Sequence, residues 1–308
     1  MNLFSDRRPN YEIDESSVFT PGQAACPGCG EALAIRYVLN TMGPKTVSVV
    51  PPSCAAIIAG AQPYSSFAIP AYHSTLETGA VSAAGIKRAL EARGQHDVNA
   101  LVLAGDGGTY DIGFQSLSGA AERNEDIVYV CLDNEGYMNT GTQKSSSTPY
   151  LADTTSTPGG KQTQKKDIVE IMAAHRIPYV ATATVAYPDD LARKVAKARD
   201  MKGTRFILVL TPCLAGWGMS NDATVKVSRL AVESGSFLLY EVEDGDRYTI
   251  NHTPKGIPVR RYLEIQKRYS RLTEDQIEGI QIDVDRKWSR LVARSKAECE
   301  PADVGLRE

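Results

Sequence analysis

Two sets of residues have the types and spacing to do chemistry. The first is Gly105-Asp106-Gly107, with Asn134 following 28 residues after the aspartate. A carboxylate, an amide oxygen and one backbone carbonyl form a hard oxygen set that suits Mg²⁺, and diphosphate oxygens can complete the octahedron. The glycines let backbone approach phosphate closely, and a helix beginning near Asp111 would add its positive end. The plain alternative is a tight turn at Gly105 to Gly108 and a helix cap at Asn134. A dinucleotide fingerprint is excluded, because Gly105-Asp-Gly-Gly-Thr-Tyr110 lacks the last glycine of GxGxxG, and no lysine follows to make a P-loop. The second set is Cys26-Pro-Gly-Cys29, Cys54 in Pro52-Ser-Cys-Ala55, and Cys213 in Thr211-Pro-Cys-Leu-Ala-Gly-Trp217. Two thiols on one turn and two solitary ones at strand ends can assemble a four-cysteine site, which suits tetrahedral zinc or an iron–sulfur cluster. A zinc ribbon would show a second CxxC, and a thioredoxin-like dithiol belongs to a much smaller fold, so a cluster is favoured.

Elements must bring these residues together. Asn99 to Ala104 is a short apolar run ending at Gly105-Asp-Gly-Gly108, the pattern of a buried strand feeding a glycine turn. Asp111 to Arg123 predicts a helix and Ile127 to Leu132 a second buried strand, so the unit implies a right-handed parallel crossover. Asp106 and Asn134 then lie just past the ends of adjacent strands. Downstream the alternation recurs, with a helix from Asp167 to His175 capped by Asp167, a strand from Tyr179 to Thr184, a helix from Pro188 to Arg199 and a strand from Arg205 to Leu210. Upstream, Glu31 to Asn40 predicts a helix, Thr46 to Val50 a strand and Thr78 to Arg93 a long helix. The fold class is therefore α/β, a doubly wound, mostly parallel sheet with functional loops at the carboxyl ends of its strands. Gly136 to Lys166 is polar and aperiodic, a length of loop that is usually functional or disordered.

From Ser234 the chain changes character, giving a division into an α/β domain over 1–233 and a C-terminal helical extension over 234–308. The extension offers a strand at Phe237 to Glu241 and a helix opened by Thr273 and Gln276 in a capping-box pattern. Its Ile277, Ile280, Val284, Trp288 and Leu291 fall on one face, which predicts packing on the body or a partner subunit.

Composition removes whole classes of function. With 42% hydrophobic and 23% charged residues the 308-residue chain is an ordinary globular protein, not a disordered or fibrous one. A net charge of -3 gives no field to attract nucleic acid, and no apolar run approaches the ~20 residues of a membrane span. Met1 to Glu15 is polar with no apolar signal core, which predicts a cytoplasmic protein whose thiols stay reduced. Of the remaining cysteines, Cys131 lies inside an apolar strand and reads as a structural thiol, and Cys299 sits in a polar tail. The histidines share no metal spacing. His96 and His252 are expected in exposed loops and His175 at a helix end, and His73, in Pro70-Ala-Tyr-His-Ser74 before the long Ala-rich helix, is the one histidine that invites a functional role beside its structural one.

A Gly-Asp-Gly with a later Asn is similar to the motif by which thiamine diphosphate (ThDP) enzymes hold their cofactor's diphosphate and magnesium. Together with the cysteine set, it resembles the β subunit of 2-oxoacid:ferredoxin oxidoreductases, the family that includes pyruvate synthase. Ala25 to Gly30, Gly105 to Gly113, Asp133 to Gly141, Lys165 to Asp167, Ile171 to His175, Thr211 to Cys213 and Gly216-Trp217 carry the resemblance. It implies a ThDP-binding fold in which Cys26, Cys29, Cys54 and Cys213 bind one [4Fe-4S] cluster near the cofactor. Asp106, Asn134 and the Gly136 carbonyl would bind Mg²⁺, Gly105 and Gly107 would line the diphosphate, and Asn139 would sit by the thiazolium and substrate as a catalytic hydrogen-bond donor. The implied reaction is oxidative decarboxylation with electrons passed through the cluster to ferredoxin. An α-type subunit with a pyrimidine-binding domain would supply the glutamate that ThDP enzymes need at the aminopyrimidine ring, and a two-cluster ferredoxin-like subunit would complete the complex. One departure, Ser53 where the family usually has glycine before the third cysteine, is closer to oxalate oxidoreductases, so oxalate is the first expected substrate and pyruvate the alternative.

Overall fold

The structure, a computed structural model, describes residues 17–297; the polar start and Cys299 lie outside the described residues. Its helices and strands alternate as α1 (Gly30–Met42), β1 (Thr46–Val50), α2 (Cys54–Ala59), β2 (Ala71–His73), α3 (Gly79–Ala92), β3 (Asn99–Gly105), α4 (Asp106–Tyr110), α5 (Phe114–Glu122) and β4 (Ile127–Asp133). The second half adds α6 (Ile168–Ala174), β5 (Tyr179–Thr184), α7 (Pro188–Asp200), β6 (Thr204–Leu210), α8 (Leu214–Trp217), α9 (Thr224–Glu233), β7 (Tyr240–Glu243), β8 (Arg247–Ile250), α10 (Arg260–Leu263) and α11 (Glu274–Ala297). The eight strands form one sheet in the order β2-β1-β3-β4-β6-β5-β7-β8, parallel from β2 to β5 with β7 and β8 antiparallel at the edge.

The continuous apolar runs become strands buried on both faces; every residue of β4, β5 and β6 is buried. On one face, Ile35, Val38 and Leu39 of α1 meet Leu191, Val195 and Ala198 of α7. On the other, Ala80 and Ala83 of α3, Leu117 and Ala120 of α5 and Met172 of α6 cover the sheet. Each such buried leucine or valine contributes about 1.5–3 kcal/mol. A third cluster joins Trp217, Val227, Tyr262, Tyr269 and Val284, and so ties the extension to the strand ends.

Chain order reverses between β1 and β3: from β1 the chain goes outward to β2, and from β3 it goes the other way to β4. The carboxyl ends flanking such a reversal form the natural crevice of a doubly wound sheet. Here they carry Ser53-Cys54 and Gly105-Asp106.

Three expectations are corrected. The helix expected over Asp111 to Arg123 starts only at Phe114, as α5, and the glycine turn before it is itself a separate helical turn, α4, that starts at Asp106 and ends where the backbone of Asp111 (φ -104°, ψ -112°) leaves the helical region. The strand expected from Phe237 starts at Tyr240, since a turn through Gly235 (φ +81°) spends the Phe237 N–H on the Ala231 carbonyl. Beside His96, which is exposed, His252 is half-buried, its ring 4.5 Å from that of Tyr187. The capping box holds in both directions, Gln276 N–H to Thr273 Oγ1 at 3.3 Å and Thr273 N–H to Gln276 Oε1 at 2.9 Å. Among the described residues no helix is long and apolar enough to cross a membrane.

Candidate cofactor site

Parallel pairing of β3 with β4 sets Gly105 against Leu132, so Asp106 and Asn134 emerge side by side at the strand ends. Both are buried. Asn134 Nδ2 donates to Glu31 Oε2 at 3.0 Å, which turns Asn134 Oδ1 the other way. Among the described residues that oxygen and Glu31 Oε1 are buried acceptors without a hydrogen-bond partner. Asp106 accepts from Ser145 Oγ, and burial, followed by the charge of Asp133, holds its carboxyl well above the usual carboxylate range. Burial likewise pushes Glu31 up to about 7, against the opposing pull of its bond from Asn134. Buried oxygens short of donors and short of positive charge are what a hard dication satisfies, so the residues present fit Mg²⁺.

The turn beside Asp106 is a tight cradle packed against Tyr137, with no space for a side chain at Gly107. A Cβ at Gly107 would lie 2.2 Å from Cε1 of Tyr137, whose hydroxyl donates to Asp111 Oδ2 at 2.9 Å. Ser53 Cβ approaches within 3.4 Å of where a Cβ of Gly105 would stand, so the segment leading to Cys54 touches the same turn.

The loop after β4 is held from beneath. Asp133 accepts from Lys165 Nζ at 2.7 Å, Ser147 Oγ at 2.6 Å and Tyr110 Oη at 3.1 Å. Glu135 takes Lys165 Nζ at 2.9 Å and Arg268 at 2.6 Å. Burial raises the Glu135 carboxyl, but Lys165 and Arg268 outweigh it and hold the group below the usual range. Trp217 Nε1 donates to the Asn134 carbonyl at 2.8 Å. Gly136 is buried within this loop, whereas Asn139 is exposed on the turn that follows, outside the buried group.

The thiols converge on the same end of the sheet. Gly28 lies at φ +77° and a Cβ there would stand 1.9 Å from the Asn221 carbonyl oxygen, so Cys26-Pro-Gly-Cys29 can close only with glycine at that position. Cys29 caps α1, its Sγ accepting from the Ala32 N–H at 3.5 Å, and Cys213 caps α8 in the same way through the Gly216 N–H at 3.3 Å. Cys54 opens α2. Burial pushes Cys29 up to about 11 and raises Cys54 and Cys213; beyond burial, Cys54 feels Glu31, Cys213, Cys29 and Cys26, so all four thiols share one electrostatic neighbourhood. Among the described residues no three His, Cys, Asp or Glu side chains are close enough to hold a single metal ion, so no tetrahedral zinc site is preformed among them. Cys131 is fully buried in β4 as expected. His73 only faces the Gly60 carbonyl, at 3.2 Å, and His175 ends α6 against Ser118 Oγ.

The thiamine pyrophosphate enzyme family, C-terminal TPP-binding domain, matches residues 53–209. The chain is 48% identical over 286 residues to pyruvate synthase subunit PorB of Methanothermobacter marburgensis, covering 91% of this chain and 99% of that one. It belongs to the β-subunit family of 2-oxoacid:ferredoxin oxidoreductases. Ketoisovalerate oxidoreductase subunit VorB of Pyrococcus abyssi, 45% identical over 92% of this chain and 95% of its own length, is similar too. A solved 2-oxoglutarate:ferredoxin oxidoreductase from Magnetococcus marinus, with 2-oxoglutarate, coenzyme A and succinyl-CoA bound, shares the fold (TM-score 0.55, 21% identity, 68% of this chain and 69% of that one).

In this β subunit the structure adds residues that motif spacing did not single out. Glu31 had a signal: it shares the buried face of α1 with Ala34, Ile35 and Val38, where a carboxylate is costly without a purpose. Lys165 and Trp217 stood in matched segments without a role. Arg268 had no local signal, because its partner Glu135 is 133 residues away.

Proposed function

We propose that this chain is the ThDP-binding β subunit of a heteromeric oxidoreductase that oxidatively decarboxylates pyruvate and passes electrons through one [4Fe-4S] cluster to ferredoxin. The observation that supports it best is the orphaned, buried Asn134 Oδ1 beside Asp106 at the sheet's point of reversal. When bound, ThDP supplies the electron sink for releasing carbon dioxide from a 2-oxoacid, and a cluster takes up electrons one at a time. Asp106, Asn134 and the Gly136 carbonyl would hold Mg²⁺, and the backbone of Gly105 and Gly107 would line the diphosphate. Cys26, Cys29, Cys54 and Cys213 would hold the cluster, whose cubic core asks for thiolates at four separate corners rather than around one ion. Asn139, exposed on its turn, is free to donate to substrate. An α-type subunit with a pyrimidine-binding domain and a two-cluster ferredoxin-like subunit would complete the enzyme in the reducing cytoplasm.

Pyruvate comes before oxalate because the pyruvate synthase and ketoisovalerate oxidoreductase relatives both act, by name, on monocarboxylic 2-oxoacids. Ser53, the residue behind the oxalate expectation, spends its hydroxyl on the Pro51 carbonyl at 2.9 Å and brings no positive charge for a second carboxylate. The test is viologen reduction by the whole complex with each acid, with and without coenzyme A. Pyruvate-dependent reduction that needs coenzyme A supports the proposal; reduction by oxalate without coenzyme A replaces the substrate, and reduction by neither refutes the function.

A further inference from the structure

Arg268 belongs to the C-terminal extension, yet its guanidinium lies in the loop that carries Asn134 and Gly136. We infer that Arg268 is a positioning residue, which through Glu135 and Trp217 fixes the backbone from which Asn134 and Gly136 present oxygens to Mg²⁺; the inference rests on the function proposed above. Glu135 stands between the two ligand residues at φ +66°, a left-handed conformation that a side-chain-bearing residue keeps only when its surroundings impose it. Four contacts impose it here. Its N–H donates to Asp133 Oδ1 at 3.0 Å, its carbonyl accepts from Thr148 Oγ1 at 2.9 Å, and its carboxylate accepts from Lys165 and Arg268. Lys165 is shared with Asp133, so Arg268 is, among the described residues, the one cation paired with Glu135 alone.

The same guanidinium reaches the loop by a second route. It stacks 3.8 Å over the Trp217 ring, and that ring's Nε1 holds the Asn134 carbonyl at 2.8 Å. Gln266 Oε1 accepts from Arg268 Nε at 2.9 Å and fixes the fork in the plane both contacts need. Asn134 is thereby held by its carbonyl on one side and by Glu31 on the other, while among the described residues its side-chain Oδ1 has no partner. A lysine could replace the charge but neither the flat stacking surface nor the fork geometry. Because Trp217 ends the helix that Cys213 caps, the arginine also joins the metal loop to a thiol-bearing turn.

The competing role is charge balance for buried Glu135, and variants separate the two. In the assembled complex, Arg268→Met, Arg268→Lys and the double variant Arg268→Met with Glu135→Gln are compared for the Mg²⁺ concentration that half-saturates ThDP binding by calorimetry, with melting temperature measured in parallel. Arg268→Met is expected to lower the melting temperature and raise the Mg²⁺ requirement 10- to 100-fold, the range for loss of a group that orients a metal ligand. The double variant leaves no unpaired charge, so it should regain the melting temperature while still needing at least tenfold more Mg²⁺. Arg268→Lys should fall between parent and Arg268→Met. A double variant whose Mg²⁺ requirement is within twofold of the parent's overturns the inference, because charge balance then explains everything. A parent complex that binds no ThDP overturns the proposed function, and this inference with it.

Discussion

Gly107→Ala tests how tightly the cradle beside Asp106 is built. Gly107 lies in helical backbone within α4, where alanine alone would be favoured by about 1 kcal/mol. The added Cβ, however, would stand 2.2, 2.6 and 2.8 Å from Cε1, Cζ and Cδ1 of Tyr137. An aromatic ring cannot yield that distance by a small torsion, so it must swing away and give up its hydroxyl bond to Asp111. Overpacking of this kind costs about 1–3 kcal/mol and the lost bond about 1 kcal/mol. Against the helical gain, the net is a destabilisation of about 1–3 kcal/mol, seen as a fall in melting temperature of about 2 °C per kcal/mol for a chain of this size. Calorimetric ThDP binding should weaken with it. The decisive comparison is the same change in a Tyr137→Ser background, where the obstacle is gone and alanine should be neutral or stabilising by up to about 1 kcal/mol. An equal cost of Gly107→Ala in both backgrounds would refute the contact as its cause.

Three further outcomes are expected. Cys54→Ala should strip the complex of cluster absorption and most of its iron while leaving far-ultraviolet dichroism unchanged, because Cys54 opens a short helix at the rim of the core; unchanged iron would remove it from the ligand set. Asp106→Ala should raise the Mg²⁺ and ThDP concentrations needed for binding by at least tenfold, since the metal loses a carboxylate, and equal affinity by calorimetry would disprove the magnesium assignment. Lys161 is pushed down to about 8, by burial first and Lys144 second, so its charge costs stability fully below pH 8 and progressively less up to about 10.5, where the unfolded chain also loses the proton. Melting temperatures of Lys161→Met relative to the parent should therefore be more favourable at pH 7 than at pH 10, and a difference independent of pH would sink the reasoning.

Much of the frame was legible because it depends on local pattern. The limits of β1 and β5 follow from strand-length runs rich in β-branched residues, and the register that sets Asp106 beside Asn134 follows from parallel pairing of the apolar runs of β3 and β4. Beyond that, local signals failed where glycine and aspartate do unusual work. The turn from Asp106 to Tyr110 is helical, although three of the four residues at Gly105 to Gly108 are glycines and nothing in their propensities says so. Short elements such as β2 and α8 have too few residues to show a period. Glu31 was visible as a carboxylate on an apolar face, but its partner Asn134 is 103 residues away. Arg268, one of several arginines in a polar stretch, is set apart by tertiary contacts, its pairing with Glu135 and its stacking on Trp217.

That the site is stitched from Cys26 at one end of the sequence to Arg268 near the other has a consequence for how the protein is made. A ribosome delivers Cys26, Cys29 and Cys54 early, then takes about 8–30 s over the next 159 residues before Cys213 emerges, and longer still before Arg268 can reach Glu135. During that interval the three thiols proposed as cluster ligands would wait without the fourth, and Glu135 in the loop of Asn134 and Gly136 lacks its Arg268 partner. Loading of the proposed cluster would therefore wait for Cys213, and a message truncated after residue 260 would yield all eight strands without the Arg268 that pairs with Glu135.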